Sequence, residues 1–403
     1  EDLDQAGLLV RLFPEWSRVR NRPQRNAYHR FTVDRHLLEA AAEAASLVRR
    51  VHRPDLLLLA ALFHDLGKGS PGDHSLAGAA LVGDVGPRLG LPPDDVARLG
   101  TLVGHHLLLA DTATRRDPSD PATTQLVASA VGDRETLGLL AALTEADAAA
   151  TGPWAWTPWK RALVADLVTR TERVLAGEHP QEPPTFPLPR HRELVTRAAS
   201  GLVVLAEDDR LTVAAPDRPG LLSLVAGVLA LEGLEVVAAD AWSGEGVAVS
   251  EYTVTPELGG TPDWDQVAAR LREVSAAPGS LGPALAARAR SYARRRRVPT
   301  PGPRVRVDLG ASTRATVVEV WAADEVGLLH RLAGVFADLG LDIRHAKVQT
   351  LGHEVVDTFY LVDGQGRRVT APGALATLER AVVDTLGGGP PPRLAEREPD
   401  PAP

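Results

Sequence analysis

The stretch Ala61-Leu62-Phe63-His64-Asp65-Leu66-Gly67-Lys68-Gly69 decides how the first half of the chain is read. It closes the longest apolar run in the sequence, the eight residues 56–63, with a histidine, an aspartate and two glycines. Glycine in that place stops a helix. Side chains one residue apart on a helix diverge by about 100°. His64 and Asp65 can therefore serve one ion only at a helix end that points into a cavity, and the apolar run stopping at Gly67 supplies such an end.

Outward from this stretch, apolar residues recur three and four apart from about residue 30 to residue 175, which predicts an all-helical segment. Helices are expected over 33–51, capped by Thr32, and over 55–66, 75–89, 93–109, 120–131, 134–149 and 159–175. They carry His36 one turn inside its helix, then His74, the pair His105 and His106, and Asp147 closing an apolar helix. A lone histidine beside an apolar run is more often a satisfied structural residue, and an isolated motif match has the same weakness. The order His, His-Asp, Asp across one helical segment is harder to explain that way. Drawn from three helices, His36, His64, Asp65 and Asp147 offer nitrogen and oxygen donors that suit Mn²⁺, Mg²⁺, Fe²⁺ or Zn²⁺ without choosing among them.

Composition narrows the chemistry further. The 403 residues include no cysteine, no methionine and 12 histidines, with a formal net charge of −8. Disulfide scaffolds, cysteine zinc sites, iron–sulfur clusters and thiol nucleophiles are thereby excluded. The longest apolar run falls far short of the ~20 residues that span a bilayer, and Glu1 opens no secretory pattern. No membrane association is expected, and the cytoplasm is the default location. Net negative charge argues against nucleic-acid binding, despite a basic run at 294–297. A chain that begins at Glu1 without any methionine is expected to have lost an upstream part.

Gly177 ends the helical pattern, and Pro180, Pro183, Pro184, Pro187 and Pro189 mark a linker. Beyond it, strands are expected at 211–215, 234–242 and 246–255, with helices at 219–231 and 262–274. The same order returns as strands 315–322, 341–350 and 354–362 with helices 327–339 and 372–386. The repeat is anchored by Asp217-Arg218-Pro219-Gly220-Leu221-Leu222 and, 107 residues later, Asp324-Glu325-Val326-Gly327-Leu328-Leu329. Each copy is a β-α-β-β-α unit, and a closing strand at 305–309 is expected to complete the first as a ferredoxin-like βαββαβ fold. The fold class is therefore α+β and multidomain: an all-α domain followed by two ferredoxin-like ones.

The histidine and aspartate order resembles the HD metal-dependent phosphohydrolase superfamily over about residues 28–175, whose metal ligands would fall on His36, His64, Asp65 and Asp147. Tyr28-His29-Arg30-Phe31-Thr32-Val33-Asp34-Arg35-His36, the 61–69 stretch and Gly72-Asp73-His74-Ser75 look like the HD domain of the PII uridylyltransferase/uridylyl-removing family. The segment 112–121 fits that family too. The glycine turns of the two repeats resemble those of ACT domains, small-molecule-binding regulatory modules, and the second copy departs by having Glu325 and Val326 in place of Arg and Pro. Its Asp357-Thr358-Phe359-Tyr360-Leu361-Val362 still looks like the terminal ACT repeat of the same family.

Several expectations follow from the resemblance. The domains would be 28–177 (HD), 178–205 (linker), 206–310 and 311–390 (ACT), with 1–27 left from an upstream domain and 391–403 a disordered tail. The activity would be removal of a nucleotidyl group, UMP or AMP, from a modified tyrosine of the signalling protein PII, stimulated by glutamine at the ACT units. The transferase half of that family, with its Gly-Ser and paired-Asp site, is not within these residues. Mn²⁺ or Mg²⁺ is the favoured cofactor, with Fe²⁺ or Zn²⁺ open, and His74, His105 and His106 are candidates for a second metal.

Asp65 and Lys68 would be catalytic, the lysine stabilising phosphate charge beside the metal; it is one of three lysines in the chain, with Lys160 and Lys347. Arg115 and Arg116 could contact substrate phosphate, and Trp154, Trp156 and Trp159 could wall a base pocket or merely pack a turn. Effector contacts are expected at Asp217, Gly220, Leu221, Asp324, Gly327 and Leu328, since glycine lets the backbone approach a ligand and free N–H groups opening a helix suit a carboxylate. Two rivals remain: a guanosine tetraphosphate hydrolase, which would carry a synthetase domain and a single ACT unit, and a non-catalytic amino-acid sensor, against which the intact ligand set speaks.

Overall fold

The computed structural model describes residues 2–24, 30–118, 120–152, 155–178, 186–293, 302–351 and 354–387. Tyr28, His29, Ser119, Trp154, the prolines 180, 183 and 184, the basic run at 294–297 and the tail lie outside the described residues. The chain divides into two compact units, Glu1–Glu182 and Pro183–Pro403.

The first unit is helical. Short helices α1 (Asp2–Gln5) and α2 (Leu8–Leu12) precede α3 (Val33–Leu47), α4 (Pro54–Phe63), α5 (His74–Arg88), α6 (Pro93–Gly104), α7 (Leu108–Arg115), α8 (Pro121–Val131), α9 (Arg134–Thr151) and α10 (Pro158–Leu175). Their starts follow from local chemistry. The side chains of Asp73, Asp120, Asp133 and Thr157 accept hydrogen bonds from backbone N–H groups at the openings of α5, α8, α9 and α10, each worth about 1 kcal/mol. One continuous core, including Leu37, Leu57, Phe63, Leu102, Leu140 and Leu143, holds these helices together.

Residues 2–24 pack with the helices that follow: Leu9, Phe13, Trp16 and Val19 are buried in the same core, and Phe13 packs edge-on against Phe63 at 5.2 Å between ring centroids. One expectation changes here. The helix expected over 93–109 is two helices. It stops at Gly104, and a turn over His105–Leu107 separates α6 from α7.

In the second unit, α11 (Arg192–Ala198) precedes β1 (Val203–Glu207), β2 (Arg210–Pro216), α12 (Leu221–Leu231), β3 (Leu234–Gly244), β4 (Val247–Pro256), α13 (Trp264–Ala276) and α14 (Leu281–Ala293). The second copy follows as β5 (Arg304–Asp308), β6 (Thr316–Ala323), α15 (Leu328–Asp338), β7 (Leu341–Leu351), β8 (Glu354–Asp363) and α16 (Pro372–Leu386). The strands form one antiparallel sheet of order β1-β2-β4-β3-β7-β8-β6-β5. The copies join where β3 pairs with β7, Ala238 against Lys347 and Asp240 against His345.

The strand at 305–309 does not close the first copy. It pairs with β6 of the second, Val305 opposite Val320, at the far edge of the sheet. The first copy is closed from its N-terminal side by β1, which reaches β2 through a hairpin with Asp208 at φ 49°. Each copy thus has the four-stranded antiparallel sheet of a ferredoxin-like fold, with its edge strand supplied ahead of the repeat instead of after it.

Candidate metal centre

Asp65 sits where α4 gives way to a 3-10 turn over Leu66–Gly69, and that turn lies hard against the start of α5. A side chain on Gly67 would place its Cβ 2.0 Å from the His74 carbonyl oxygen and 2.6 Å from the Gly78 nitrogen. Only glycine allows this approach, which brings His74 on α5 to the same carboxylate as His64 at the end of α4.

The two oxygens of Asp65 face different partners. Oδ2 lies 3.5 Å from His64 Nε2 and 3.8 Å from His36 Nε2, while Oδ1 lies 3.5 Å from His74 Nε2 and 3.6 Å from His106 Nε2. Asp147, from α9, places Oδ1 2.9 Å from His36 Nε2 and 3.5 Å from His64 Nε2. His36, His64, Asp65 and His106 are at most 2% exposed. Two metal-sized donor groups result, His36-His64-Asp65 and Asp65-His74-His106, sharing one carboxylate.

These residues fit divalent cations on three grounds. His64 Nδ1 lies 2.9 Å from the Ala61 carbonyl oxygen and His106 Nδ1 2.8 Å from that of Val103. In the neutral imidazole, Nδ1–H donates to that carbonyl and leaves the Nε2 lone pair facing the cluster, the tautomer a metal ligand needs. Asp65 Oδ1 is buried without a hydrogen-bond partner, a costly state for a carboxylate unless a cation meets it.

The field around the cluster is the third. Burial works to keep His64 neutral, but Asp65 and Asp147 outweigh it and raise its pKa to about 10. The same negative charge would hold a cation in place of that proton. Burial opposes the charged form of Asp65 and Asp147 too, yet His64 above all keeps both carboxyls well below the usual range. His106 is pushed down to about 4 by burial and by the His64 charge, which leaves it neutral and able to donate its lone pair.

Lys68 Nζ stands 2.5 Å from Asp65 Oδ2 and donates to Gln24 Oε1 at 2.7 Å. Gln24 carried no signal in the sequence; it reaches the site because the N-terminal segment packs into this unit. Lys160 was noted there only for the rarity of lysine. Burial lowers its pKa, against the opposing charges of Asp147 and Asp111. His105 does not join the cluster. It caps the end of α6, and the turn that aims His106 inward sends its neighbour elsewhere. Arg115 ends α7 and pairs with Asp111 at 3.7 Å, with Arg116 following as the C-cap. Trp156 packs against the helical core.

In the second unit, Gly220 and Gly327 occupy the left-handed region at φ 82° and 77° and open α12 and α15. Leu221 and Leu328 are core residues, each 5% exposed. Asp217 accepts a hydrogen bond from Ser243 Oγ at 3.4 Å. Asp324, Gly327 and Leu328 line a cavity of about 760 Å³ that also touches β3, α14, β7 and β8.

Comparison with known proteins places both units. The family model for the HD domain matches residues 33–149, and that for the ACT domain matches 316–371. The chain carries an HD domain followed by an ACT domain. It is 45% identical, over 96% of its length, to a bifunctional uridylyltransferase/uridylyl-removing enzyme of Streptomyces coelicolor, covering 52% of that protein. Enzymes of the same name from Mycobacterium tuberculosis and Gluconobacter oxydans are 41% and 32% identical over 96% of the chain, which covers 49% and 48% of them. The chain spans about half the length of these relatives and matches their C-terminal half.

The HD domain implies divalent metal binding, and the cluster around Asp65 could hold such an ion. No helix of the described residues is long and apolar enough to cross a membrane.

Proposed function

We propose that the helical unit is a metal-dependent phosphodiesterase that removes a nucleotidyl group, UMP or AMP, from a modified tyrosine of PII. The single observation that carries this reading is the placement of Asp65, whose two oxygens each face a pair of histidine Nε2 atoms. The relatives' shared name, uridylyl-removing enzyme, supplies the substrate class.

His36, His64, Asp65 and Asp147 would hold one divalent cation, and His74 and His106 with Asp65 a second; Mn²⁺ or Mg²⁺ suits the mixed nitrogen and oxygen donors, with Fe²⁺ and Zn²⁺ as alternatives. Such ions supply water activation and neutralise phosphoryl oxygens. The chain's own residues do the rest. The Ala61 and Val103 carbonyls fix the tautomers of His64 and His106. Gln24 holds the Lys68 ammonium beside the carboxylate, where it adds positive charge for a phosphate ester. Arg115 and Arg116 are the candidate contacts for the outer part of the substrate.

The same reading makes the repeated unit a sensor of glutamine and places the chain in the cytoplasm, with no nucleic-acid or membrane partner. In this reading the HD unit takes in residues 2–24, which pack into its core, the first repeat begins at β1, and β5 belongs with the second. The test is to incubate the metal-loaded chain with uridylylated and adenylylated PII and weigh PII by mass spectrometry. Loss of one nucleotidyl mass supports the reading. Unchanged mass of both substrates with each of the four metals would sink it.

A further inference from the structure

Alternation along β8 puts Asp357 on the same face as Val355, Phe359 and Leu361, all three members of the core beneath the helices. An acid in that row is out of place. Asp357 is 1% exposed, its Oδ1 has no hydrogen-bond partner, and it lines the 760 Å³ cavity at the second glycine turn. A buried carboxyl with an unmet oxygen facing a cavity calls for a cationic or N–H-bearing ligand. Arg290 of α14 also lines the cavity, with Leu328 and Leu329 at the start of α15, an 11-residue helix with an N-terminus suited to a carboxylate, and the acids Glu235, Glu257, Asp324 and Glu325 stand around it.

The repeat offers an internal comparison. Tyr252 matches Phe359 at the offset of 107 residues, so Ser250 stands in the first copy where Asp357 stands in the second. Ser250 is similarly buried, at 3% exposed, but ends in a hydroxyl where Asp357 ends in a carboxyl. The two glycine turns are alike; the floors beneath them are not.

Resting on the reading of the repeats as amino-acid sensors, we propose that the pair has one effector site, at the second turn. There Asp357 receives the α-ammonium group of the amino acid, and the start of α15 with Arg290 receives its carboxylate. Asp357 is the specificity residue of this site, and the departure of Glu325 and Val326 from the first turn does not abolish binding.

Calorimetry on the whole chain tests this with L-glutamine and with glutaramate, which is glutamine without its α-amino group. One glutamine per chain is expected, with glutaramate bound ~10–100-fold more weakly, the range for one hydrogen bond to a charged group. Asp357→Asn should lose glutamine affinity by a similar factor and cease to distinguish the two compounds. Asp357→Ser, which copies the first repeat's own residue, guards against a folding artefact and should behave alike. Ser250→Ala should bind glutamine within twofold of the parent.

Two equivalent glutamine sites, or Asp357 variants that bind and discriminate as the parent does, would overturn the proposal while leaving the sensor reading intact. No glutamine binding by the parent chain would overturn both.

Discussion

Asp65 is the one side chain shared by both candidate metal groups of the helical unit. Replacing it by Asn keeps its size and removes the charge both histidine pairs share. Hydrolysis of nucleotidylated PII should fall by more than ~100-fold, beyond what loss of an outer-shell partner costs, with an unchanged circular dichroism spectrum. Gln24→Leu is expected to leave metal affinity in place while lowering kcat, since it frees Lys68 without touching a metal donor; an unaltered kcat would show that Lys68 needs no such support. Asp357 gives a pH signature. Burial, and next the charge of Asp324, raise it from an ordinary 3.8 to about 8. An acid raised in the folded state favours folding below its unfolded pKa, and that advantage is lost as pH climbs from about 4 to about 8. Asp357→Asn should therefore gain melting temperature relative to the parent as pH rises from 5 to 8, and parallel curves would refute this assignment. The residues of the cluster were legible in the sequence because the His, His-Asp, Asp order is rare by chance. Gln24 and Asp357 were not: one acts from a segment with no motif, and the other is an acid whose burial only a sheet register reveals.

At the level of elements, helix ends carry the candidate metal site. Periodicity placed α3, α4, α5, α8, α9 and α10 within a few residues, because each has a clear apolar stripe and several have an aspartate or threonine cap. It ran α6 through to residue 109 because a turn of three residues between apolar segments barely disturbs the period. That turn is what aims His106 at Asp65 and leaves His105 out. Edge strand β1 was missed next to a proline-rich linker, and β5 was assigned to the wrong copy, since nothing local to a short alternating stretch says which edge it will join. Gly67 is the tightest element junction. Gly67→Ala would force a Cβ against the backbone of α5, so it should lower the melting temperature and weaken Mn²⁺ binding together; a variant matching the parent in both would show that the turn can yield. Asp133→Ala, which uncaps the helix bearing Asp147, should cost about 1 kcal/mol in stability, read from urea unfolding.

On the scale of the whole molecule, the fold class was visible as a change of period from helical to alternating, and the repeat was visible as a returning glycine turn. How the two copies combine was not visible, because it depends on pairing between strands 105 or more residues apart. They share one sheet through β3 and β7, and their first helices meet where Ser223 Oγ donates to the His330 carbonyl oxygen at 2.8 Å. Under the proposed function, the cluster around Asp65 hydrolyses a nucleotidyl ester only when a divalent metal is held there. The most direct measurement is release of UMP or AMP from nucleotidylated PII by chain stripped with chelator and then titrated with Mn²⁺, alongside Asp65→Asn. No release is expected from the stripped chain, recovery as Mn²⁺ fills the site, and none from the variant at any metal concentration. Turnover that persists after stripping, or that the variant retains, would contradict it.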